Sequence, residues 1–313
     1  MNKYLLLIGL LQSVISVFAQ QKKELTPARG HYKQLGAYNP QPKSKKEEVD
    51  KLTFPYDEAI ATKRLSLKPV YLITTKAEDF QLPAPPANSS DQTRKELNYL
   101  LGLQAQRTDL DVHNSLFMAN VYYNPRTTPA DSNYHSYRKN LFFIGRSIGT
   151  WFHPDSLTST ADLMARVWQD ANYFIWALKY KYARIRPYVL EPEIKNLEET
   201  NWAAYPSGHS ANSYINAYIY QELAPEFTDV FLKDAYDMAH SREIIGVHYP
   251  SDSESSRIFA RQFVNKLFEN NLFRKEFDLV KKEWASKAKE GFKKPTHSII
   301  SGKKSSCSKT CTE

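Results

Sequence analysis

The apolar spacing of residues 158–183 constrains the fold of this chain more than any other feature of its sequence. Along this segment, apolar residues follow one another in steps of four, four, three and four: Leu163, Val167, Ala171, Phe174 and Leu178. Such steps place the side chains on one face of an α-helix. The segment therefore predicts a long helix whose apolar face is buried.

Helical spacing recurs from Asp91 onward, whereas alternating strand patterns and Asn-Gly hairpin signals are absent. Further helices are predicted over residues 91–106, 108–121, 134–152, 209–223, 228–245, 251–271 and 274–290. The sequence thus predicts an all-α fold, a single-domain helical bundle of about seven to eight helices.

The N-terminal region has the features of a secretory signal. Residues 4–18 form an apolar run after Lys3, and Val17 and Ala19 give the small-x-small pattern of a signal-peptidase site. This run is too short for a comfortable membrane span, and no other run approaches spanning length. We expect a signal peptide over residues 1–19, and a periplasmic or secreted protein with no transmembrane segment after cleavage. An uncleaved N-terminal anchor is the alternative.

The segments on either side of the predicted bundle are polar. Residues 20–79 are lysine-rich and contain several prolines, which predicts an extended lead-in. Within it, residues 68–74 are expected to be extended. A Pro-rich connector over 82–91 lies at the start of the predicted catalytic domain, residues 80–290. Residues 291–313 are predicted to form a basic C-terminal tail.

The charge distribution and the cysteine positions restrict which partners and metal sites we expect for this chain. Most of the net charge of +8 lies after residue 273, and no nucleic-acid motif accompanies it, so no nucleic acid is expected as a partner. Both cysteines, Cys307 and Cys311, lie in the last seven residues. They could join in a small loop or cross-link two chains. A zinc site is a poor alternative, because His297 is the only nearby histidine.

Three short stretches near predicted helix ends carry side chains suited to chemistry. In the first, KYKYARIRPY (179–188), Lys179 and Arg186 lie two helical turns apart on the same side, separated by about 10 Å. Two cations on one face repel each other unless an anion lies between them. The alternative is a pair of surface charges near a helix C-terminus, where cations are favoured.

The second stretch, YPSGHSANS (205–213), opens a helix with an adjacent glycine and histidine. Gly208 lets the backbone approach a ligand closely, and the N–H groups of a helix start, with Ser207 as a candidate cap, form an anion site. His209 could then give or take a proton. The alternative is a capped helix with a surface histidine.

The third stretch, HSREIIGVHYPSD (240–252), places Arg242 on the last turn of a helix that ends at Gly246. His248 follows on a loop, and Asp252 lies four residues later, close enough to orient one ring nitrogen and leave the other available. The alternative is that Asp252 only caps its own helix.

The order and spacing of the three stretches resemble a family signature. Lys-x6-Arg-Pro, Pro-Ser-Gly-His and Ser-Arg-x5-His-x3-Asp are similar to the signature of the superfamily that unites type 2 phosphatidic acid phosphatases, bacterial class A non-specific acid phosphatases and vanadium haloperoxidases. Every signature position is filled. The predicted export and the segments GVHYPSD (246–252) and LPAPP (82–86) look most like those of the class A acid phosphatases. The resemblance covers about residues 80–290 and departs from the family in SESSR (253–257), where Ala-Gly usually follows.

The resemblance implies a metal-independent acid phosphatase that acts on small phosphate monoesters and needs no cofactor. His248 would be the nucleophile that forms a phosphohistidine, Asp252 would orient it, and His209 would protonate the leaving oxygen and then activate water. The residues implied to bind the phosphate are Lys179, Arg186, Ser207, Gly208 and Arg242. A neutral nucleophile and a protonated acid together predict maximal activity at mildly acidic pH.

The sequence is also compatible with three alternative functions: a lipid-phosphate phosphatase at the membrane surface, a vanadium-dependent haloperoxidase and a non-catalytic phosphate-binding protein. The sequence is compatible with a monomer or a homo-oligomer, and it does not specify the natural substrate. Outside the signature, His240 is the one further histidine of interest. The aromatic candidates for a leaving-group pocket are Tyr122, Tyr123, Trp202 and Tyr205.

Overall fold

The described part of the chain is built from helices joined by turns and irregular loops. The computed structural model describes residues 46–122 and 134–291, and neither range contains a β-strand. The α-helices are α1 (Lys46–Asp50), α2 (Glu58–Leu65), α3 (Asp91–Gln106), α4 (Asp109–Ala119), α5 (Tyr134–Tyr137), α6 (Thr158–Tyr182), α7 (Pro187–Leu190), α8 (Gly208–Leu223), α9 (Thr228–Ile244), α10 (Pro250–Glu269) and α11 (Asn271–Gly291). The predicted all-α, single-domain bundle is confirmed.

Helix α6 lies at the centre of the main hydrophobic core, as its apolar spacing predicts. All five side chains of the predicted face are at most 1% exposed, and burial of each large one stabilises the fold by about 1.5–3 kcal/mol. Helices α8, α9 and α10 pack against one another beside it. Because the C-terminal end of α6, the start of α8, the end of α9 and the start of α10 meet, the three stretches singled out above come together.

The predicted helix over residues 134–152 is wrong. Helix α5 ends at residue 137, a 3-10 helix covers Arg138–Phe142, and the remainder is turns and loops. At Gly145 the backbone has φ 91°, its N–H donates to Asp234 Oδ2 at 2.8 Å, and an added Cβ would lie 2.6 Å from the Phe231 ring. A glycine is therefore required where the predicted helix would have continued.

Packing begins well before residue 80, unlike the extended lead-in expected over 20–79. Residues 46–79 contain α1, α2 and a 3-10 turn. Tyr71 and Leu72 are buried in the main core, and the carboxylate of Asp170 on α6 accepts hydrogen bonds from the amides of residues 70–72. The segment 68–74 is thus a loop fixed by a buried carboxylate rather than a strand.

Several expectations fall outside the described residues. These are the signal peptide over 1–19, the first part of the lead-in, Tyr123, and the tail from residue 292 with Cys307 and Cys311. Within the two described ranges, we find no helix with the length and apolar character needed to cross a membrane.

Candidate active site

The three stretches converge on one open cleft at the meeting point of α6, α8, α9 and α10. The predicted residues on its wall are Lys179, Gly208, His209, Arg242 and His248. Arg186, Ser207 and Asp252 are fully buried behind that wall. The fold thus brings all eight predicted residues to one place, five in the wall and three behind it.

His248 is held between a carboxylate and a guanidinium. Its Nδ1 lies 3.1 Å from Asp252 Oδ2, and its Nε2 lies 3.0 Å from Arg186 Nη1. Arginine can only donate, so Nε2 accepts, and the ring proton is on Nδ1 and is donated to Asp252. Burial and the Arg186 charge hold the pKa of His248 well below its ordinary value, although Asp252 opposes them. The ring is therefore neutral, with its lone pair on Nε2.

Asp252 is itself fixed by residues that the signature does not contain. Its Oδ1 accepts from Arg184 Nη1 at 2.6 Å and its Oδ2 from the Tyr249 amide at 3.0 Å. Burial alone would raise the pKa of Asp252, but the charge of Arg184 and the hydrogen bonds from His248 and the Tyr249 amide outweigh it and hold this pKa well below its usual range. Arg184 also pairs with buried Glu96 at 3.2 Å.

Sequence reasoning missed Arg184 and Glu96, and each left a weak signal. Arg184 stands two residues before Arg186 in the first stretch, and Glu96 falls on the same helical face as Leu97 and Leu100, all three being buried. A carboxylate on the apolar face of a helix needs a partner, but the partner lies 88 positions away in the chain.

Among the described residues, the buried cations Lys179 and Arg186 hydrogen-bond only to backbone carbonyls and, in the case of Arg186, to His248. Lys179 Nζ donates to the carbonyl oxygens of residues 203, 204 and 206 at 2.6–3.2 Å, and Arg186 donates to those of residues 202, 203 and 247. Neither pairs with a carboxylate of the described residues. Burial and the two neighbouring arginines hold the pKa of Lys179 well below its ordinary value.

Arg242 has donors that no described residue satisfies. Its Nη2 donates to Glu198 Oε2 at 2.6 Å, whereas its Nε and Nη1 are buried without a hydrogen-bond partner among the described residues. Burying an unsatisfied donor costs about 1–3 kcal/mol, and more for a charged group. An anion beside Arg242 would remove this cost, as oxyanions do at arginine clusters.

His209, at the first turn of α8, faces the same cleft. Its Nε2 lies 2.8 Å from the Ala119 carbonyl oxygen, so this nitrogen carries a proton and donates it. The Tyr122 ring packs edge-on, with the ring centroids 5.8 Å apart. Burial and the Arg242 charge lower the pKa of His209 well below its usual value, while the hydrogen bond to Ala119 acts in the opposite direction.

At the start of α8, Ser207 caps the helix, and the next residue, Gly208, faces the cleft. Ser207 is the N-cap, its Oγ accepts from the Ser210 amide at 3.4 Å, and its own amide donates to the Asp252 carbonyl at 3.4 Å. Gly208 has no positive φ, and a Cβ there would meet only Ile175 at 3.7 Å. Neither the backbone nor the packing requires glycine at 208, and Gly208 lines the cleft.

In SESSR (253–257), where the sequence differs from the family pattern, the serine hydroxyls form buried hydrogen bonds. The Ser256 hydroxyl lies 2.9 Å from the carbonyl oxygen of Ser207 and 2.6 Å from that of Asp252, and these two oxygens share its single proton. The Ser255 hydroxyl donates to the Asp252 carbonyl oxygen at 3.0 Å. The contact of Ser256 with Ser207 ties the start of α8 to α10, whereas the contacts with Asp252 lie within α10. Ser256 therefore supports the position of Ser207.

The remaining candidates divide between the cleft and the protein interior. Tyr122 and Trp202 line the cleft. Tyr205 does not: its hydroxyl donates to the Pro83 carbonyl and its ring packs on Tyr182. His240 also lies outside the cleft wall, with its ring stacked on Tyr236 and its Nδ1 3.1 Å from Glu243 Oε2.

Comparison with known proteins gives two related results. No family model matches the chain. The non-specific acid phosphatase of Providencia stuartii is 37% identical over 112 residues, which are 34% of this chain and 45% of that protein. The corresponding phosphatase of Salmonella typhimurium is 27% identical over 143 residues, 44% of this chain and 57% of that protein. The chain thus spans about half the length of the curated relatives it matches.

A solved structure shares the fold. A bacterial vanadium-dependent iodoperoxidase superposes with a TM-score of 0.52 and 19% sequence identity, over 76% of this chain and 64% of that one. At this identity the likeness concerns the fold alone. The chain is therefore similar in sequence to bacterial non-specific acid phosphatases and in fold to a vanadium-dependent peroxidase, which confirms the relationship that its three stretches predict.

Proposed function

We propose that this protein is an exported, metal-independent acid phosphatase that hydrolyses small phosphate monoesters through a phosphohistidine. One observation carries the proposal: a neutral, oriented His248 stands among three buried cations, one of which, Arg242, has charged donors without partners in the described residues. Phosphoryl transfer needs little beyond a positioned nucleophile and positive charge around the phosphate oxygens. The sequence similarity to acid phosphatases supports the same reaction.

In the first step, the Nε2 lone pair of His248 attacks phosphorus. A P–N bond forms, the bond from phosphorus to the leaving oxygen breaks, and His209 gives that oxygen a proton. Arg186 Nη1, which donates to Nε2 before reaction, would then hold a phosphate oxygen. The Nδ1–H bond to Asp252 stabilises the positive charge that the ring acquires.

In the second step, water attacks the phosphohistidine. Neutral His209 takes a proton from this water, a P–O bond forms, the P–N bond breaks, and His248 regains its lone pair. Because Nε2 of His209 already donates its proton to the Ala119 carbonyl, Nδ1 must give and take the catalytic proton. His209 is therefore in the imidazolium form when it acts as the acid. A bound phosphate dianion favours that form by offsetting the Arg242 charge.

The first experiment measures hydrolysis of a chromogenic aryl phosphate by the chain without residues 1–19, at pH 5–7 and with EDTA. The His248→Ala variant and added orthovanadate are compared, and circular dichroism checks that each protein is folded. Turnover that survives EDTA and is lost with vanadate or with the substitution is the expected result. A phosphoryl group trapped on His248, stable to alkali and labile to acid, would identify the intermediate.

Other results of these assays would indicate one of the three alternative functions. Preference for lipid phosphates, reduced when residues 291–313 are removed, would indicate a membrane-surface phosphatase. Bromide oxidation by peroxide that requires vanadate would indicate a haloperoxidase. A folded protein that binds phosphate and catalyses neither reaction would be a binding protein. N-terminal sequencing of the exported chain tests the proposed cleavage after Ala19.

A further inference from the structure

A further cation, Arg64, lies in the wall of the same cleft as Lys179 and Arg242. It belongs to the last turn of α2, in the segment that the sequence suggested was only a lead-in. Its guanidinium carbon lies 4.6 Å from the centroid of the Trp176 ring and 5.8 Å from that of Trp202. Arg64 and His248 both line this cleft, so a ligand in it can reach both side chains.

Arg64 differs from the other arginines near the site in its partners. Arg184 and Arg242 pair with carboxylates, and Arg186 donates to His248 and backbone carbonyls. Arg64 makes no hydrogen bond or ion pair with any residue in the described ranges and contacts aromatic faces instead. Stacking on tryptophan fixes the plane of a guanidinium while leaving its N–H groups for a ligand.

The surroundings of Arg64 favour a negatively charged ligand. Together with Asn172 and Trp202, Arg64 also lines an adjoining cleft. The other polar side chains on the wall of that cleft include Lys63, Gln169 and Asn201, and its described lining contains no carboxylate. A group that extends from His248 past Trp176 therefore enters a region with two cations and several amide donors.

We propose that Arg64 forms, with Trp176 and Trp202, a subsite for a second anionic group carried by the leaving group. The substrate class is then a small phosphate monoester whose alcohol bears another phosphate or a carboxylate. The guanidinium would bind this second group through paired N–H donors. The inference rests on the proposed function for the reaction, although the binding step can be measured without it.

The binding test uses phosphonates, which the enzyme cannot hydrolyse. Calorimetry gives the Kd of alkane bisphosphonates, with linkers from ethane to hexane, and of the matching alkyl monophosphonates. We expect at least one bisphosphonate to bind about tenfold more tightly than its monophosphonate, the effect of one added charge-assisted contact. Arg64→Gln should remove most of this preference.

Arg261→Gln is the matched control. Arg261 stacks on the Tyr218 ring at 3.7 Å but lines neither cleft, so its loss removes the same charge and the same kind of stacking elsewhere. It should keep the preference. If no bisphosphonate is preferred, or if Arg64→Gln keeps the same preference as Arg261→Gln, the inference is wrong.

Kinetics then separate this inference from the proposed function. The ratio of kcat/KM for a diol bisphosphate to that for the matching alkyl phosphate should fall about tenfold in Arg64→Gln and stay constant in Arg261→Gln. No hydrolysis of either ester with an intact binding preference would refute the phosphatase and retain the subsite. Hydrolysis of both with a ratio insensitive to Arg64 would refute the subsite alone.

Discussion

At the scale of single residues, two glycines illustrate opposite reasons for lacking a side chain. Gly145 has a positive φ and no room for a Cβ, whereas Gly208 has neither constraint. We expect Gly208→Ala to leave the melting temperature unchanged within about 1 °C and to lower kcat/KM for aryl phosphates at least tenfold, because the methyl group occupies phosphate space. Gly145→Ala, the control, should lower the melting temperature. A fully active Gly208→Ala variant would exclude close phosphate contact at this position.

The two histidines set the pH dependence of the proposed reaction. The lowered pKa of His248 keeps the nucleophile neutral well into the acidic range, whereas His209 must be protonated to act as the acid. Activity should therefore be high at mildly acidic pH and fall as the pH rises through the pKa of His209 in the complex. A pH–kcat profile that stays flat to pH 9 would remove His209 from this role.

Arg184 is expected to act on the reaction through Asp252 rather than by touching substrate. In an Arg184→Gln/Glu96→Gln variant, which removes the buried pair together, Asp252 loses its neutralising partner and attracts a proton to His248 more strongly. The pKa of His248 should rise, so the acidic limb of the kcat/KM profile should move to higher pH. Arg166→Gln/Glu276→Gln, a pair remote from the cleft, should leave it in place. An unmoved limb would limit Arg184 to a structural role.

The eight predicted residues could be picked from the sequence, and expected to meet in one place, because they lie at fixed short spacings around helix ends. Sequence reasoning could not find Arg184 with Glu96, since their contact depends on how α3 packs against the loop after α6. Arg64 was missed for the same reason: only the packing of α2 on α6 brings it to Trp176. Contacts between distant segments leave no local pattern to detect.

At the scale of secondary-structure elements, periodicity predicted α6 well and failed at 134–152. Helix α6 presents one apolar face, whereas four consecutive residues, 141–144, are all buried. A helix would spread these four around its circumference. The apolar positions in 134–152 thus come in part from four consecutive buried side chains, although residues 146, 147 and 150 after them are exposed. Periodicity alone does not distinguish this pattern from a helix.

Asp170 on α6 anchors the loop of residues 70–72 that follows α2. Asp170→Asn would replace a carboxylate that accepts three amide hydrogen bonds by a group with one acceptor oxygen, leaving a buried donor unsatisfied. We expect the free energy of unfolding to fall by about 3 kcal/mol, measured by urea denaturation. Asp278→Asn, on the exposed side of α11, is the control and should change it little. Equal stabilities would show that this anchor is dispensable.

For the protein as a unit, we expect the buried cations to couple anion binding to the stability of the fold. Lys179 and Arg186 have no carboxylate partner in the described ranges, and Arg242 has unsatisfied donors. The fold therefore carries an electrostatic cost that an anion relieves only in the native state. Inorganic phosphate at about one hundred times its Kd should add about 2.7 kcal/mol to the free energy of unfolding, and so raise the melting temperature by several degrees.

The size of this shift distinguishes a specific site from general salt effects. Chloride at equal ionic strength should give little increase, because screening acts weakly on buried charges. Arg242→Gln/Glu198→Gln should lose most of the increase with phosphate, since it removes the unsatisfied donors together with their carboxylate partner, while Arg166→Gln/Glu276→Gln should keep it. If phosphate stabilises both variants equally, the anion binds elsewhere, and the buried cations are balanced by the backbone carbonyls that surround them.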